Sequence, residues 1–167
     1  MSKEIKRNYL EIYSLKDLNE TNSNSNDFSI QLVEPNNFQL NKFFYKNVGK
    51  NHNWVDRLVW TDKQWIDYTT DKRVKTFILM NKDDLVGYFE LINHINECEV
   101  EIAYLGLLKE YQNKKLGAFL LSSAIKNSFS QETKRVWVHT CSLDHKNALN
   151  NYLARGMKIF KTETISI

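Results

Sequence analysis

The sequence predicts an α+β fold, a mixed and mostly antiparallel sheet flanked by helices. Two observations carry this. Residues 74–95 hold two apolar runs, VKTFILM (74–80) and LVGYFELINHI (85–95), joined by the short polar turn NKDD, which is a β-hairpin pattern. From Cys98 the order becomes strand, helix, strand, helix, strand, which packs helices onto the same sheet. The chain has 167 residues, 42% hydrophobic and 13% aromatic, a size that suggests one domain with a true core.

Each element has its own signal. YLEIYSL (9–15) and FSIQLVE (28–34) read as strands on either side of the polar loop 19–27. From Asn36 to Val48, Phe38, Leu40, Phe43 and Phe44 recur at helical spacing. Thr61-Asp62 is a good N-cap for the short helix KQWIDYTT. CEVEIAYLGLL (98–108) alternates and then turns continuously apolar, as a central strand does. Leu116, Phe119, Leu120 and Ala124 fall on one helix face. RVWVHTC (135–141) is a strand. Residues 144–156 form a helix with Asp144 as N-cap and Gly156 as its stop. MKIFKTETISI ends the chain as a strand.

Several function classes drop out early. No apolar run is long enough for a transmembrane helix, and MSKEIKRNYLEIYS lacks a secretory apolar region, so a cytoplasmic location is expected. A net charge of +3 without a recognised motif argues against nucleic acid. Cys98 and Cys141 lie far apart with no C-x-x-C pair, so no metal is expected and both are read as reduced thiols.

The junction 107–118 is the chemically suggestive stretch. A buried strand ends, a polar turn follows, and a helix opens with Gly117 in its first turn. Helix N-termini present free N–H groups and partial positive charge. A small residue there admits a phosphate close to the backbone. Lys109, Lys114 and Lys115 surround the point.

This stretch resembles the acetyl-CoA motif of the GNAT superfamily of N-acetyltransferases, which runs Gln or Arg, two residues, Gly, one residue, Gly or Ala. Gln112 and Gly117 match, Ala118 follows, and Lys115 replaces the first glycine. A second stretch matches the family's later helix through Ala148, Tyr152 and Gly156, with His145 where Asn is usual and Met157 where Phe is usual. The segment VWVHTCSLDH before it is similar to that of one bacterial subgroup. Residues 74–167 carry the resemblance and would bind acetyl-CoA. Residues 1–70 would form the variable acceptor side of a single 1–167 domain.

The resemblance implies the GNAT fold, with the strands at 98–108 and 135–141 splaying apart. The pantetheine arm would lie in that opening against Leu105 and Leu107. The pyrophosphate would sit on Gln112, Asn113, Lys114, Lys115, Leu116, Gly117 and Ala118, with the Lys115 charge folded over it. His145 and Ala148 would lie near the pantetheine. The implied reaction is direct acetyl transfer to a primary amine of a small molecule or peptide, with a possible homodimer. The alternative is a non-catalytic acyl-CoA-binding module.

Such a transfer needs a base for the amine and an acid for the leaving thiolate. Glu101 precedes Gln112 by the spacing seen in members with a strand glutamate, and Tyr152 sits at the family's acid position. Glu99 shares the parity of Glu101 on an extended strand, and Glu90 is a third carboxylate. Tyr45, Trp54, Arg57 and His139 complete the candidate acceptor contacts, Arg57 suggesting an acceptor that bears a carboxylate.

Overall fold

The computed structural model describes residues 2–167. Its seven strands are β1 (Glu4–Ile12), β2 (Phe28–Leu32), β3 (Val74–Asn81), β4 (Asp84–His94), β5 (Glu99–Leu107), β6 (Arg135–Cys141) and β7 (Lys158–Ser166). Four helices join them: α1 (Phe38–Gly49), α2 (Asp62–Thr70), α3 (Leu116–Ser128) and α4 (Ala148–Ala154). The strands form one sheet in the order β2-β3-β4-β5-β6-β1-β7. Every neighbouring pair is antiparallel except β5 and β6.

The expected fold class therefore stands, with local corrections. The first strand begins at Glu4 rather than Tyr9 and ends at Ile12; the chain then turns through Leu15–Asp17. Cys98 is not in a strand. It has φ 56° and closes the tight turn before β5. The last helix starts at Ala148, not Asp144. Asp144 instead accepts from the Thr140 hydroxyl and the Cys141 N–H, so it fastens the end of β6 rather than capping a helix. Thr61 does cap α2, with Gln64 completing a capping box.

Two apolar layers fix the two faces of the sheet. On one face α3 buries Leu116, Leu120, Leu121, Ala124 and Ile125 against Leu10, Phe89, Leu91, Val100 and Ile102. Each such leucine or isoleucine contributes about 1.5–3 kcal/mol on burial. On the other face Phe44 and Val48 of α1 pack on Ile78 and Tyr88, with Phe44 and Tyr88 stacked at 4.8 Å. Gly106 allows this approach, because a Cβ there would lie 2.3 Å from Val48 Cγ1.

A bulge in β5 decides what faces where. Glu90 pairs with Tyr104 and Leu91 with Ile102, leaving Ala103 as the extra residue. Before it, Val100 and Ile102 face α3. After it, Leu105 and Leu107 do, while Tyr104 turns toward α1. Among the described residues no helix is long and apolar enough to cross a membrane.

Candidate active site

β5 and β6 run side by side only where Glu99, Val100 and Glu101 meet Arg135, Val136 and Trp137. Beyond this β6 stays with β1 and β5 stays with β4, so the strands diverge. The divergence frees the edge of β5 from Ile102 to Leu107. A cavity of about 900 Å³ fills the opening. It is lined by Gly117 and Leu120 of α3 and by Tyr45 and Val48 of α1. These helices lie on opposite faces, so the cavity passes through the sheet.

On the α3 side the wall begins with the free backbone of β5 and includes Leu105 and Leu107. Gln112 reaches back to the Leu107 carbonyl at 3.4 Å, while its own N–H is held by the Lys109 carbonyl. The turn ahead of α3 contains two left-handed residues, Asn113 at φ 61° and Lys115 at φ 62°. Lys115 is the N-cap of α3. This explains why glycine suits that position: a left-handed residue with a Cβ costs roughly 1–2 kcal/mol. Asn113, Lys115, Gly117 and Ala118 line the cavity. Lys114 leans on the Tyr111 ring, and Leu116 is buried in the core; neither lies on the wall. Lys109 is also outside it.

The fit to a CoA-like ligand rests on these details. The turn into α3 sets two left-handed residues, Asn113 and Lys115, just ahead of the first N–H groups of the helix, which carry partial positive charge. Gly117 leaves space, since a Cβ there would meet only Asn151 Nδ2 at 3.6 Å. That same amide donates to the Gly117 carbonyl at 3.0 Å and ties α4 to α3. Tyr152 of α4 also lines the cavity, and burial holds its phenol pKa well above the ordinary value. His145 and Ala148 lie on the wall. Burial and the neighbouring His52, whose ring centroid is 6.0 Å away, lower the His145 pKa.

On the α1 side Glu101 lines the cavity with Ile92, opposite it on β4. His94 Nε2 lies 3.0 Å from Glu101 Oε1, and the His94 ring stacks on Trp137 at 5.9 Å. His139 stands further along β6, its pKa lowered by burial against the cavity wall and by Arg7.

Three other candidates have different surroundings from Glu101. Glu99 forms a two-point pair with Arg135 at 3.0 and 2.9 Å and is not on the cavity wall. Glu90 is fully buried and also off the wall. It accepts from Arg57 Nη1 at 3.0 Å, Asn41 Nδ2 at 2.9 Å and the Tyr68 hydroxyl at 2.8 Å. Arg57 edges the cavity with Tyr45 and Trp54, but its guanidinium is committed to Glu90. It sits 4.1 Å from the Tyr68 ring centroid, 4.3 Å from Tyr104 and 4.7 Å from Trp60. Burial opposes the Arg57 charge, yet Glu90 and the Tyr68 and Tyr104 oxygens outweigh it and raise its pKa. An acceptor carboxylate would have to displace Glu90, so the expected role of Arg57 lacks a free guanidinium.

The model for the acetyltransferase (GNAT) family matches residues 30–157. The chain belongs to this family. No curated protein matches it. Among solved structures, a GCN5-related N-acetyltransferase from Sphaerobacter thermophilus aligns over 99% of this chain with a TM-score of 0.75 and 13% identity. One from Kribbella flavida aligns over 96% with a TM-score of 0.68 and 14% identity. This chain spans only 52% and 56% of those two chains. An aminoglycoside acetyltransferase from an uncultured soil metagenomic sample aligns over 80% of this chain and 90% of its own, with a TM-score of 0.65 and 12% identity. At such identities the likeness is one of fold.

Sequence reasoning missed His94, Asn151 and Arg7, all of which touch this region. His94 was visible only as a lone histidine at a strand end. Asn151 follows from the helix register, three positions after Ala148. Arg7 carried no local signal.

Proposed function

We infer that the protein moves an acetyl group from acetyl-CoA to a primary amine by direct transfer. The observation that carries this is the cavity through the splayed sheet, with the start of α3 on one face and Glu101 on the other. Residues 102–107 of β5 would hold the pantetheine, and Asn113 to Ala118 the pyrophosphate. Bound there, acetyl-CoA would supply an acetyl carbon activated as a thioester.

The residues then divide the proton work. The acceptor nitrogen attacks through its lone pair and so must shed a proton. Glu101 takes that proton from the α1 side, and His94, at hydrogen-bond distance, supports it. The raised pKa of Tyr152 keeps its hydroxyl protonated at neutral pH, so it can donate to the sulfur as the C–S bond breaks. The Ile102–Leu107 edge and Leu120 keep this passage largely apolar, which strengthens both hydrogen bonds.

Calorimetric titration with acetyl-CoA, followed by release of free thiol in the presence of varied amines, tests this. Binding followed by amine-dependent thiol release is expected. Binding without turnover on any amine would favour the acyl-CoA-binding module. Absence of binding would overturn both.

A further inference from the structure

The N-terminal strand places a cation where the motifs give no reason to expect one. β1 is inserted between β6 and β7, so Arg7 lies opposite Cys141 on one side and Glu163 on the other. Glu101 pairs across from Trp137, and Trp137 from Glu11. Residues directly opposite share a face, and so do alternate residues of a strand. Arg7, His139 and Glu101 therefore stand on the same sheet face, and all three line the cavity.

Among the described residues the Arg7 side chain makes no ion pair or hydrogen bond, although its charge, after Lys161 and the Tyr9 hydroxyl, helps to lower the pKa of Glu163 opposite it. The Arg7 Nε is buried without a hydrogen-bond partner. The nearby acids are engaged elsewhere. Glu163 is held by Lys161 at 2.6 Å and by the Tyr9 hydroxyl at 3.0 Å. Glu11 lies 3.5 Å from Arg135, and Glu101 lies beside His94. Around Arg7 the wall is aliphatic, built from Ile5, Ile165 and Ile167. Arg7 itself is half-buried, and its buried Nε–H is a donor that a ligand in the cavity can satisfy.

Strand geometry sets the span. Trp137 and Cys141 mark the positions of Glu101 and Arg7 along β6, about 13 Å apart, and the two residues are two strands apart, about 10 Å. The amine and carboxylate of a single α-amino acid, one carbon apart, cannot bridge this. An amine and an anion joined by several carbons can.

We propose that Arg7 binds an anionic group, a carboxylate or a phosphate, at the far end of an amine acceptor whose nitrogen faces Glu101. This deepens the acetyltransferase reading and rests on it. It also moves the anion contact from Arg57, which Glu90 neutralises, to a residue of the N-terminal strand.

The test is calorimetric titration of the full chain, with CoA present. The ligands are β-alanine, 6-aminohexanoate and 8-aminooctanoate, each beside its neutral amide, with 6-aminohexyl phosphate as a separate arm. A longer acid should bind about tenfold tighter than its amide, the worth of one charged hydrogen bond. β-Alanine should show no such preference. In Arg7→Gln the acid and amide should differ by less than about twofold. A tighter phosphate than carboxylate assigns the tail as phosphate. Equal binding of acid and amide at every length, including no binding of any, overturns the proposal, as does a preference that survives in Arg7→Gln. The acid–amide comparison in the unaltered protein stands even if the variant fails to fold. Thiol release by the same ligands separates the two readings: selective binding without transfer removes the catalysis, and transfer without selectivity removes the anion site.

Discussion

Two charged clusters lie on the same face of the sheet, and they differ in what is left over. Around Glu90 each partner is used: Arg57, Asn41 and Tyr68 all donate to it, and aromatic rings enclose the guanidinium. Around Glu101 the residues are sparser. One imidazole touches the carboxylate, and a cavity lies open beside it. A saturated ion pair fixes the scaffold, while an unsaturated one remains available for a proton or a ligand. The charges alone do not tell these apart; their partners do.

The largest effect should come from breaking the saturated cluster. Arg57→Ala leaves the Glu90 carboxylate buried without its cation, so it should cost about 3–5 kcal/mol of stability in a urea melt. A loss under about 1 kcal/mol would mean that the cluster is not the tight structural element described here. Glu101→Gln should leave stability nearly unchanged and lower kcat about a hundredfold, with the alkaline rise of the rate flattened. An intact pH–rate profile would remove Glu101 as the base.

Tyr152→Phe should reduce kcat about ten- to a hundredfold while acetyl-CoA affinity, by calorimetry, holds. Unchanged turnover would take the phenol out of the mechanism. The smallest effect belongs to Lys115→Gly. Relieving the left-handed backbone should stabilise the protein by about 1 kcal/mol. Acetyl-CoA titration of the same variant reads the side chain separately, and weaker binding would mean that its charge holds the pyrophosphate.

How legible was this in the sequence? β3 to β6 and α3 were readable because hairpin spacing and apolar periodicity are local signals. The junction before α3 was read as an anion site from Gly117 and its lysines, and of these the structure brings Gly117 and Lys115 to the cavity wall. The left-handed backbone of Lys115 was not legible, because only the absent glycine of the motif hints at it. In sequence Glu101 stood out only by its spacing from Gln112, and Glu90 was a further strand carboxylate with nothing to mark it as structural. What separates them is three donors from α1, α2 and the loop around Arg57, contacts that no spacing encodes. Arg57 was read toward a ligand for the same reason. Arg7 lies in a strand whose partners, β6 and β7, come more than a hundred residues later.

That strand also has a consequence for how the molecule is made. β1 is synthesised before the other six strands, yet its slot does not exist until both β6 and β7 have been made. Contacts so distant along the chain slow folding, because a long loop must close before the pairing repays it. The hairpin of β3 and β4 can form early, with α3 closing over it once β5 is in place. β1, with Leu10 and Ile12 still exposed, must wait. The cavity wall that holds Arg7 is thus assembled last, and a chain stalled at this stage would present an open sheet edge, the feature that most invites aggregation.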